Sequence, residues 1–288
     1  MGGNSSTLCA TILAYKHNIF WHTKDGIQQP NHIGSVLRAS TANIGTEPGT
    51  GKEVHVLTSD ILPMVHPNDL VLGDWDISGL SMDKAIDRAC VLDYDLQRQV
   101  APNLALLGRP LPTIYYPDFI TANHEARVDN LIAGTDKHVH LDHIWADIQQ
   151  FKEENGLDCV VVFWTANTER YSDIIPGVND TADNVLASIR TSQSKMSLST
   201  IFAVASILEG MPFVNGVPQN TFIPPPFHMV CVPSHHGYHI HDITSIPHAA
   251  VSASPSVSYG SHCIAPTDTT TFAYSSITFP FFSAEFPC

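Results

Sequence analysis

The chain has 288 residues, 43% of them apolar, so it is long enough to bury one large core or two smaller ones. Only 15% of its residues are charged and its formal net charge is −14, which repels nucleic acid and anionic membrane surfaces. No apolar segment reaches the length of a membrane span, and no basic region precedes an apolar run at the N-terminus. We therefore expect a cytoplasmic protein that binds neither nucleic acid nor membranes.

The N-terminal segment combines glycines with a predicted helix start. Gly2 and Gly3 are followed by Asn4 and by hydroxyl side chains, and residues 8–13 form an apolar stretch compatible with a helix. Glycines allow the backbone to approach a pyrophosphate closely, and amides at a helix start can bind its charge. Spacing alone leaves two equal alternatives, a nucleotide-binding loop and a disordered tail that carries only a Ser or Thr helix cap.

Asp76 follows a short apolar strand that ends near residue 73, and a helix is predicted over residues 81–100. A carboxylate at a strand end can accept hydrogen bonds from a ribose, whereas a carboxylate before a helix can cap its first amides. The residues by themselves leave both interpretations open. Beyond this helix, residues 113–116 predict a short strand.

The clearest unit is a helix followed by a buried strand. Apolar residues recur at spacings of three and four and so line one face of the helix. These residues are Leu141, Ile144, Ile148 and Phe151. An Asn–Gly pair at 155–156 supplies the left-handed cap that ends the helix. The apolar run 159–164 then predicts a strand buried on both faces, as in parallel sheets.

The polar loop 165–170 directly follows this strand. It places two hydroxyls, an amide and small residues where a doubly wound sheet binds its ligand. The alternative is that Thr165 and Asn167 only cap the next helix or turn.

Two further helices and a strand continue the alternation. A helix that begins at residue 179 or 180 buries Val185 and Ile189, and another begins near Ser197 or Ser199, where a hydroxyl can cap its first amides, and runs to residue 210. Residues 213–216 form a strand. Regular alternation of helices with buried strands predicts an α/β fold with a doubly wound parallel sheet, whose ligands bind at the carboxyl ends of the strands.

The composition changes before the last quarter of the chain. Lys195 is the last lysine or arginine, and the final segment is rich in Pro, Ser, Thr, His and aromatic residues without helical periodicity. We expect a domain over residues 1–224 and a low-complexity, disordered tail over residues 225–288, which proteolysis would remove. The spacing of His235, His236, His239 and His241 could suit zinc or copper, but we favour a chance cluster without a metal.

Six segments of the chain resemble one enzyme family. In chain order they are residues 2–8, 74–78, 119–124 with 126–130, 164–170, 174–181 and 215–223. They correspond to the glycine and asparagine loop, the GWDIS segment, the FIAANQ and ARADN pair, the WTANTER loop, the VIPGLNDT helix start and the NGSPQNTFVPG segment of inositol-3-phosphate synthases. Because all six occur in the family order, the resemblance is specific.

This resemblance implies an NAD-dependent conversion of glucose 6-phosphate to 1D-myo-inositol 3-phosphate by a homotetramer with a Rossmann-like fold. NAD takes a hydride from the sugar and returns it after ring closure. The resemblance also implies a set of NAD-binding residues. By position these are Gly2, Gly3, Asn4, Ser5, Asp76, Ile77, Arg127, Asn130, Thr165, Ala166, Asn167, Thr168 and Gly216.

The sequence also departs from the family pattern. The first loop is one residue shorter, Val217 replaces the family's serine, and no lysine follows Lys195 to match the family's KSGQTK motif. The family's strand before the glycine loop also has no counterpart. We therefore expect an incomplete sheet without its first strand, weak NAD binding, impaired tetramer assembly and no turnover, and we assign no catalytic residue. The alternative to an active synthase is a non-catalytic fragment or pseudoenzyme.

Overall fold

The computed structural model describes residues 3–31, 39–62, 65–120, 124–166, 168–217, 221, 229–234 and 237–242. The helices are α1 (Gly3–Lys16), α2 (Thr58–Ile61), α3 (Met82–Ala89), α4 (Tyr94–Ala105), α5 (Lys137–Glu154), α6 (Ala182–Arg190) and α7 (Leu198–Leu208). The strands are β1 (Trp21–Thr23), β2 (Gly26–Gln28), β3 (Thr41–Thr46), β4 (Glu53–Leu57), β5 (Val162–Trp164), β6 (Phe213–Asn215), β7 (Met229–Ser234) and β8 (Gly237–Asp242).

Helix α5 forms where the apolar spacing predicts it. The Asp136 carboxylate accepts a hydrogen bond from the His138 amide at 2.9 Å and so caps the helix start. Leu141, Ile144 and Ile148 are all buried, as expected for one helix face packed against a core. Gly156 follows with a φ of 59°, the left-handed conformation that ends many helices.

Helices α6 and α7 begin at hydroxyl caps. The Thr181 side chain accepts from the Asn184 amide at 3.1 Å, and the Ser197 side chain accepts from the Thr200 amide at 3.3 Å. Between its ends, α7 buries Ile201, Phe202 and the three residues that follow. A helix that is apolar on nearly all sides belongs in the interior of a protein.

One parallel strand pair lies among the described residues. Strand β5 pairs with β6 in parallel, with Phe163 opposite Val214. Isolated parallel bridges join Trp75 to Leu111 and Thr113 to Leu131. The prediction of an α/β protein with buried parallel strands is confirmed in this coarse form, but the strand predicted over 113–116 is reduced to the bridge at Thr113. The strand predicted over 159–164 begins later, at Val162.

The chain divides into two compact units. The first unit contains Met1–Asn4, Gly73–Ser81 and Arg109–Val257, and the second contains Ser5–Leu72, Met82–Gly108 and Ser258–Cys288. The core of the first unit is built from α5, α6 and α7 with β5 and β6. In the second unit, α1, α3 and α4 each contribute fully buried apolar side chains. Examples are Ala10, Ile86 and Val100.

Two helix predictions are wrong in detail. The helix predicted over 81–100 is two helices, because the backbone at Cys90 turns into the left-handed region at a φ of 50°. At the N-terminus, α1 already begins at Gly3, so Gly3, Asn4 and Ser5 are helical and do not form a loop before the helix.

The second unit also contains two antiparallel hairpins that the sequence analysis missed. In the first, Trp21 pairs with Gln28, and the turn includes Gly26 at a φ of 125°. The preceding Asp25 makes an Asp–Gly pair, which is a common hairpin signal. In the second hairpin, β3 and β4 are exposed along most of their length.

Part of the predicted tail has regular structure. Strands β7 and β8 form an antiparallel hairpin, with Cys231 opposite Ile240, where the sequence predicted disorder. The rest of residues 225–288 lies outside the described residues, and the division at residue 224 stays a prediction. No helix in the part of the chain that the structure describes is long and apolar enough to cross a membrane. Within the same described ranges, no three potential ligands form a group that could hold a metal ion.

Candidate functional site

The carboxyl ends of β5 and β6 lie side by side. Because the two strands run parallel, the loops that follow them begin at the same edge. The Gly216 amide donates to the Trp164 carbonyl oxygen at 2.9 Å and extends the pairing by one step. The structure therefore brings Thr165 and Gly216, two of the predicted site residues, to one place. We call this place the Trp164–Gly216 edge.

Gly216 is required by packing at this edge. A β-carbon at this position would lie 2.8 Å from Phe163 Cε1 and 3.1 Å from the Trp164 carbonyl oxygen. Both distances are shorter than ordinary van der Waals contacts, so any side chain would force its neighbours to move. Close packing against Phe163 and the Trp164 backbone is therefore sufficient reason for a glycine at this position, whether or not a ligand binds there.

The loop after β5 presents small polar residues. Thr165 is half-buried, Ala166 and Thr168 are exposed, and Asn167 lies outside the described residues. The next helix is α6, which begins at Ala182 with its own cap. Thr165 therefore does not cap the next helix, and the alternative that it caps a turn stays a prediction.

Glu169 anchors the far end of this loop, and the sequence analysis missed it. Its backbone forms an antiparallel bridge with Ile120, and its side chain is buried. The carboxylate accepts hydrogen bonds from the Ser199 amide, at 2.9 Å, and from the Ser199 hydroxyl. Burial raises the pKa of Glu169, and the hydrogen bonds from Ser199 oppose that rise. A glutamate between polar neighbours carries no local signal of burial.

Asp76 directly follows the isolated parallel bridge at Trp75. The prediction of a strand that ends near residue 73 is wrong, because the described residues there form only this bridge. The Asp76 amide donates to the Leu111 carbonyl at 3.3 Å, next to the parallel bridge between Trp75 and Leu111. Its carboxylate accepts from the Ser78 amide at 2.8 Å, so the side chain closes a tight turn. This turn ends before α3 begins at Met82, which argues against the helix-cap interpretation. We call residues 76–79 the Asp76 turn.

Asn130 holds the Asp76 turn in place. Its side-chain nitrogen donates to the carbonyl oxygens of Asp76, Pro110 and Leu111 at 3.0 to 3.2 Å. The Ile77 carbonyl in turn accepts from the Asn130 amide at 3.0 Å. Asp76, Ile77 and Asn130, three predicted site residues, therefore form one cluster.

Asp129 belongs to this cluster, and Arg127 lies two residues before it in the chain. The Asp129 carboxylate accepts from the Gly79 amide at 2.7 Å and ties down the end of the turn. Arg127 ends a short 3-10 turn, Glu125–Arg127, and one of its terminal nitrogens lies 3.5 Å from His124 Nε2. Burial and the nearby guanidinium both lower the pKa of His124.

Charge is also buried just before the Asp76 turn. Asp74 is partly exposed as a residue, yet loss of water around its carboxyl group raises its pKa to about 6. Trp75 Nε1 donates to Asp147 Oδ2 at 2.8 Å, which fixes the indole against α5. The segment leading into the turn is thus held by both packing and polar contacts.

The predicted N-terminal site residues lie at or before the start of α1. Gly2 lies outside the described residues, and Gly3, Asn4 and Ser5 form the first turn of α1. Ser5 belongs to the second compact unit. Their part in a binding site stays a prediction.

Parallel strands with polar loops at their carboxyl ends define an α/β protein whose candidate ligand site lies at the edge where such sheets bind small molecules. The NAD-binding model of the myo-inositol-1-phosphate synthase family matches residues 1–232. The chain therefore belongs to the myo-inositol-1-phosphate synthase family, as its sequence motifs predicted.

Individual relatives agree with this assignment. Inositol-3-phosphate synthase from Saccharomyces cerevisiae is 49% identical over 231 residues, and isozyme 2 from Arabidopsis thaliana is 49% identical over 223 residues. Each alignment covers 77% of this chain and 43% of the relative. The crystal structure of inositol-3-phosphate synthase from Caenorhabditis elegans, 45% identical, matches with a TM-score of 0.73 over 79% of this chain and 45% of that one. The chain thus spans less than half the length of these relatives.

The family model points to NAD binding in this family, and the residues present fit that cofactor. A dinucleotide offers ribose hydroxyls to acceptors and phosphate oxygens to donors. The Asp76 turn supplies a carboxylate, and the loop after β5 supplies the hydroxyl of Thr168 on an exposed residue.

Proposed function

We propose that this chain contains the NAD-binding region of an inositol-3-phosphate synthase, which converts glucose 6-phosphate to 1D-myo-inositol 3-phosphate. The Trp164–Gly216 edge supports this proposal most strongly, because the loops after two paired parallel strands begin there together. Sheets of this kind bind nucleotides at the carboxyl ends of their strands. The fold we propose around the edge is a Rossmann-like, doubly wound parallel sheet.

When bound, NAD would accept a hydride from the sugar and later return it. The Asp76 carboxylate is suited to accept hydrogen bonds from ribose hydroxyls, as acidic residues at strand ends do. The hydroxyls of Thr165 and Thr168 are suited to donate to phosphate oxygens, while the small side chain of Ala166 leaves room for the cofactor and Gly216 keeps the two strand ends close together. These residues would bind and orient the cofactor.

Asn130 has a different role in this proposal. Its side-chain nitrogen is occupied by three carbonyl oxygens, so we assign it to positioning of the Asp76 turn. Direct contact of the remaining predicted residues with NAD stays a proposal. They are Gly2, Gly3, Asn4, Ser5, Ile77, Arg127 and Asn167.

The activity of the whole protein is also part of the proposal. Glucose 6-phosphate as substrate, a homotetrameric assembly and a cytoplasmic location come from the family resemblance. We assign no catalytic residue in this chain. The expectation that the chain by itself turns over no glucose 6-phosphate, and the alternative of a non-catalytic protein, stay predictions.

A charge-removing substitution at Asp76 tests the proposed cofactor site. The D76N side chain keeps an oxygen that can accept from the Ser78 amide, so the turn is expected to persist. The lost negative charge weakens the hydrogen bonds to ribose hydroxyls, and we expect NAD affinity to fall about tenfold. Titration of the cofactor into the purified chain, followed by saturation-transfer NMR, measures this change even at millimolar dissociation constants.

D129N is the matched control for this experiment. Asp129 also accepts a backbone amide, that of Gly79, in the same cluster, but it is not among the predicted NAD-binding residues. We expect D129N to bind NAD within about twofold of the unsubstituted chain. Equal losses in D76N and D129N would show that only the integrity of the turn matters. Unchanged binding by D76N would remove Asp76 from the site.

A further inference from the structure

Glu169 is a charged residue in an unusually buried place. Only 6% of its surface is exposed, although it directly follows the exposed Thr168. Its backbone is fixed by the bridge to Ile120, and the next amide, that of Arg170, donates to the Phe119 carbonyl at 2.8 Å. Burying a carboxylate is costly unless hydrogen-bond donors surround it. The donors that surround this one show what the residue does.

The first donors come from the start of helix α7. The Ser199 amide and the Ser199 hydroxyl both donate to the Glu169 carboxylate. A negative charge at this end of a helix is favourable, because the unpaired amides there carry partial positive charge. The side chain therefore ties the loop after β5 to α7.

A second hydroxyl extends this connection. The Thr221 hydroxyl lies 2.9 Å from the Ser199 hydroxyl oxygen, and both residues are buried. A carboxylate only accepts hydrogen bonds, so the Ser199 proton points to Glu169 and the Ser199 oxygen accepts from Thr221. The Glu169 carboxylate thus orients both hydroxyls: Thr221, after β6, donates to Ser199, and Ser199 donates to Glu169, after β5.

Helix α7 also has an N-cap residue, Ser197. The Ser197 side chain accepts from the Thr200 amide. The contacts of Glu169 with the helix are additional to this cap. Their distinctive result is that the two loops following β5 and β6 share one anchor.

We propose that Glu169 is a positioning residue for the NAD site, where it holds the loop after β5 and the segment after β6 in their binding geometry through Ser199 and Thr221. This inference rests on the proposed function. Thr165 directly follows the Trp164–Gly216 edge, and Thr168 directly precedes the anchored Glu169. A loop that is already ordered loses less conformational entropy when it binds a ligand.

The test compares E169Q with D136N. Asp136 is a matched control, because its carboxylate also accepts from a backbone amide and a serine hydroxyl at a helix start, that of α5. Amide hydrogen exchange without NAD is measured first, and NAD affinity second. In E169Q we expect faster exchange at residues 165–168, unchanged exchange within α7, and NAD affinity lower by about tenfold. D136N is expected to leave exchange in the loop and NAD affinity unchanged.

T221V adds a milder variant that keeps the Glu169 carboxylate and its contacts with Ser199. We expect it to weaken NAD binding by about threefold, and E169Q combined with T221V to be no worse than E169Q alone. Faster exchange throughout α7 in E169Q would reduce Glu169 to a helix cap and overturn the proposal. So would unchanged loop exchange in both E169Q and T221V. If the unsubstituted chain shows no NAD signal, the proposed function fails, and the exchange data still decide whether Glu169 orders the loop.

Discussion

The Asp76 turn and the Trp164–Gly216 edge each follow parallel backbone pairing, but different forces hold them. The Asp76 turn is fixed mainly by side chains that bond to backbone groups, above all by Asn130. The Trp164–Gly216 edge is fixed by strand pairing and by apolar packing, in which the ring centroids of Trp164 and Phe202 lie 5.3 Å apart. The first region therefore depends on polar groups, and the second depends on shape.

We expect the largest loss of stability when one carbon atom is added at the second region. G216A places a β-carbon 2.8 Å from Phe163 Cε1 and 3.1 Å from a backbone oxygen. We expect the free energy of unfolding to fall by about 1 to 3 kcal/mol, as in other overpacked sites. Urea denaturation followed by circular dichroism measures the change.

G79A is the matched control in the first region. A β-carbon at Gly79 would meet its nearest atom, Asn130 Cβ, at 3.8 Å, which is an ordinary contact. We expect its stability to change by less than about 1 kcal/mol. If G79A destabilises the protein as much as G216A does, the first region is as tightly packed as the second and the distinction between them fails.

A smaller effect is expected from the carboxyl group of Asp74, which lies just before the first region. The pKa of Asp74 is raised by burial from 3.8 to about 6. An acid whose pKa is higher in the folded chain holds its proton more tightly there, so stability falls as pH rises through this window. D74N removes that penalty, and we expect its melting temperature at pH 7 to exceed that of the unsubstituted chain by about 2 to 4 °C. At pH 4 the two are expected to be nearly equal.

D180N is the opposite case and serves as the control for this pH dependence. Hydrogen bonds, the largest from the Asn184 side chain, lower the pKa of Asp180. Its carboxylate therefore stabilises the fold above its ordinary pKa, and D180N is expected to lower the melting temperature at pH 7. If D74N and the unsubstituted chain melt at the same temperature at pH 7 as well as at pH 4, the Asp74 carboxyl group is well hydrated and carries no burial penalty.

The regular part of the fold was predictable because its signal is local. Leu141, Ile144 and Ile148 repeat with the period of a helix, and all three are buried. Ser197 was one of two hydroxyls predicted to begin α7, and it is the cap. The break at Cys90 was not predictable in the same way, because no glycine or proline marks that left-handed residue.

The contacts that build the candidate site lie far apart in the sequence. Glu169 meets Ser199, 30 residues later, and Asn130 meets Pro110, 20 residues earlier. Pattern within a short window carries no information about such pairs. The family resemblance singled out Asn130 but not the carbonyl groups that its amide holds, and it left Glu169 without a role.

Hydrogen exchange with and without millimolar NAD tests the central claim most directly, since it locates the cofactor on the unsubstituted chain. We expect NAD to slow amide exchange in the Asp76 turn, residues 76–79, and in the loop after β5, residues 165–168. Exchange in the exposed β3–β4 hairpin is expected to stay the same. Slowed exchange in the turn and in the loop would support one cofactor site that uses both regions. If NAD leaves exchange unchanged in both regions, or slows it only in the hairpin, these residues do not form the NAD site.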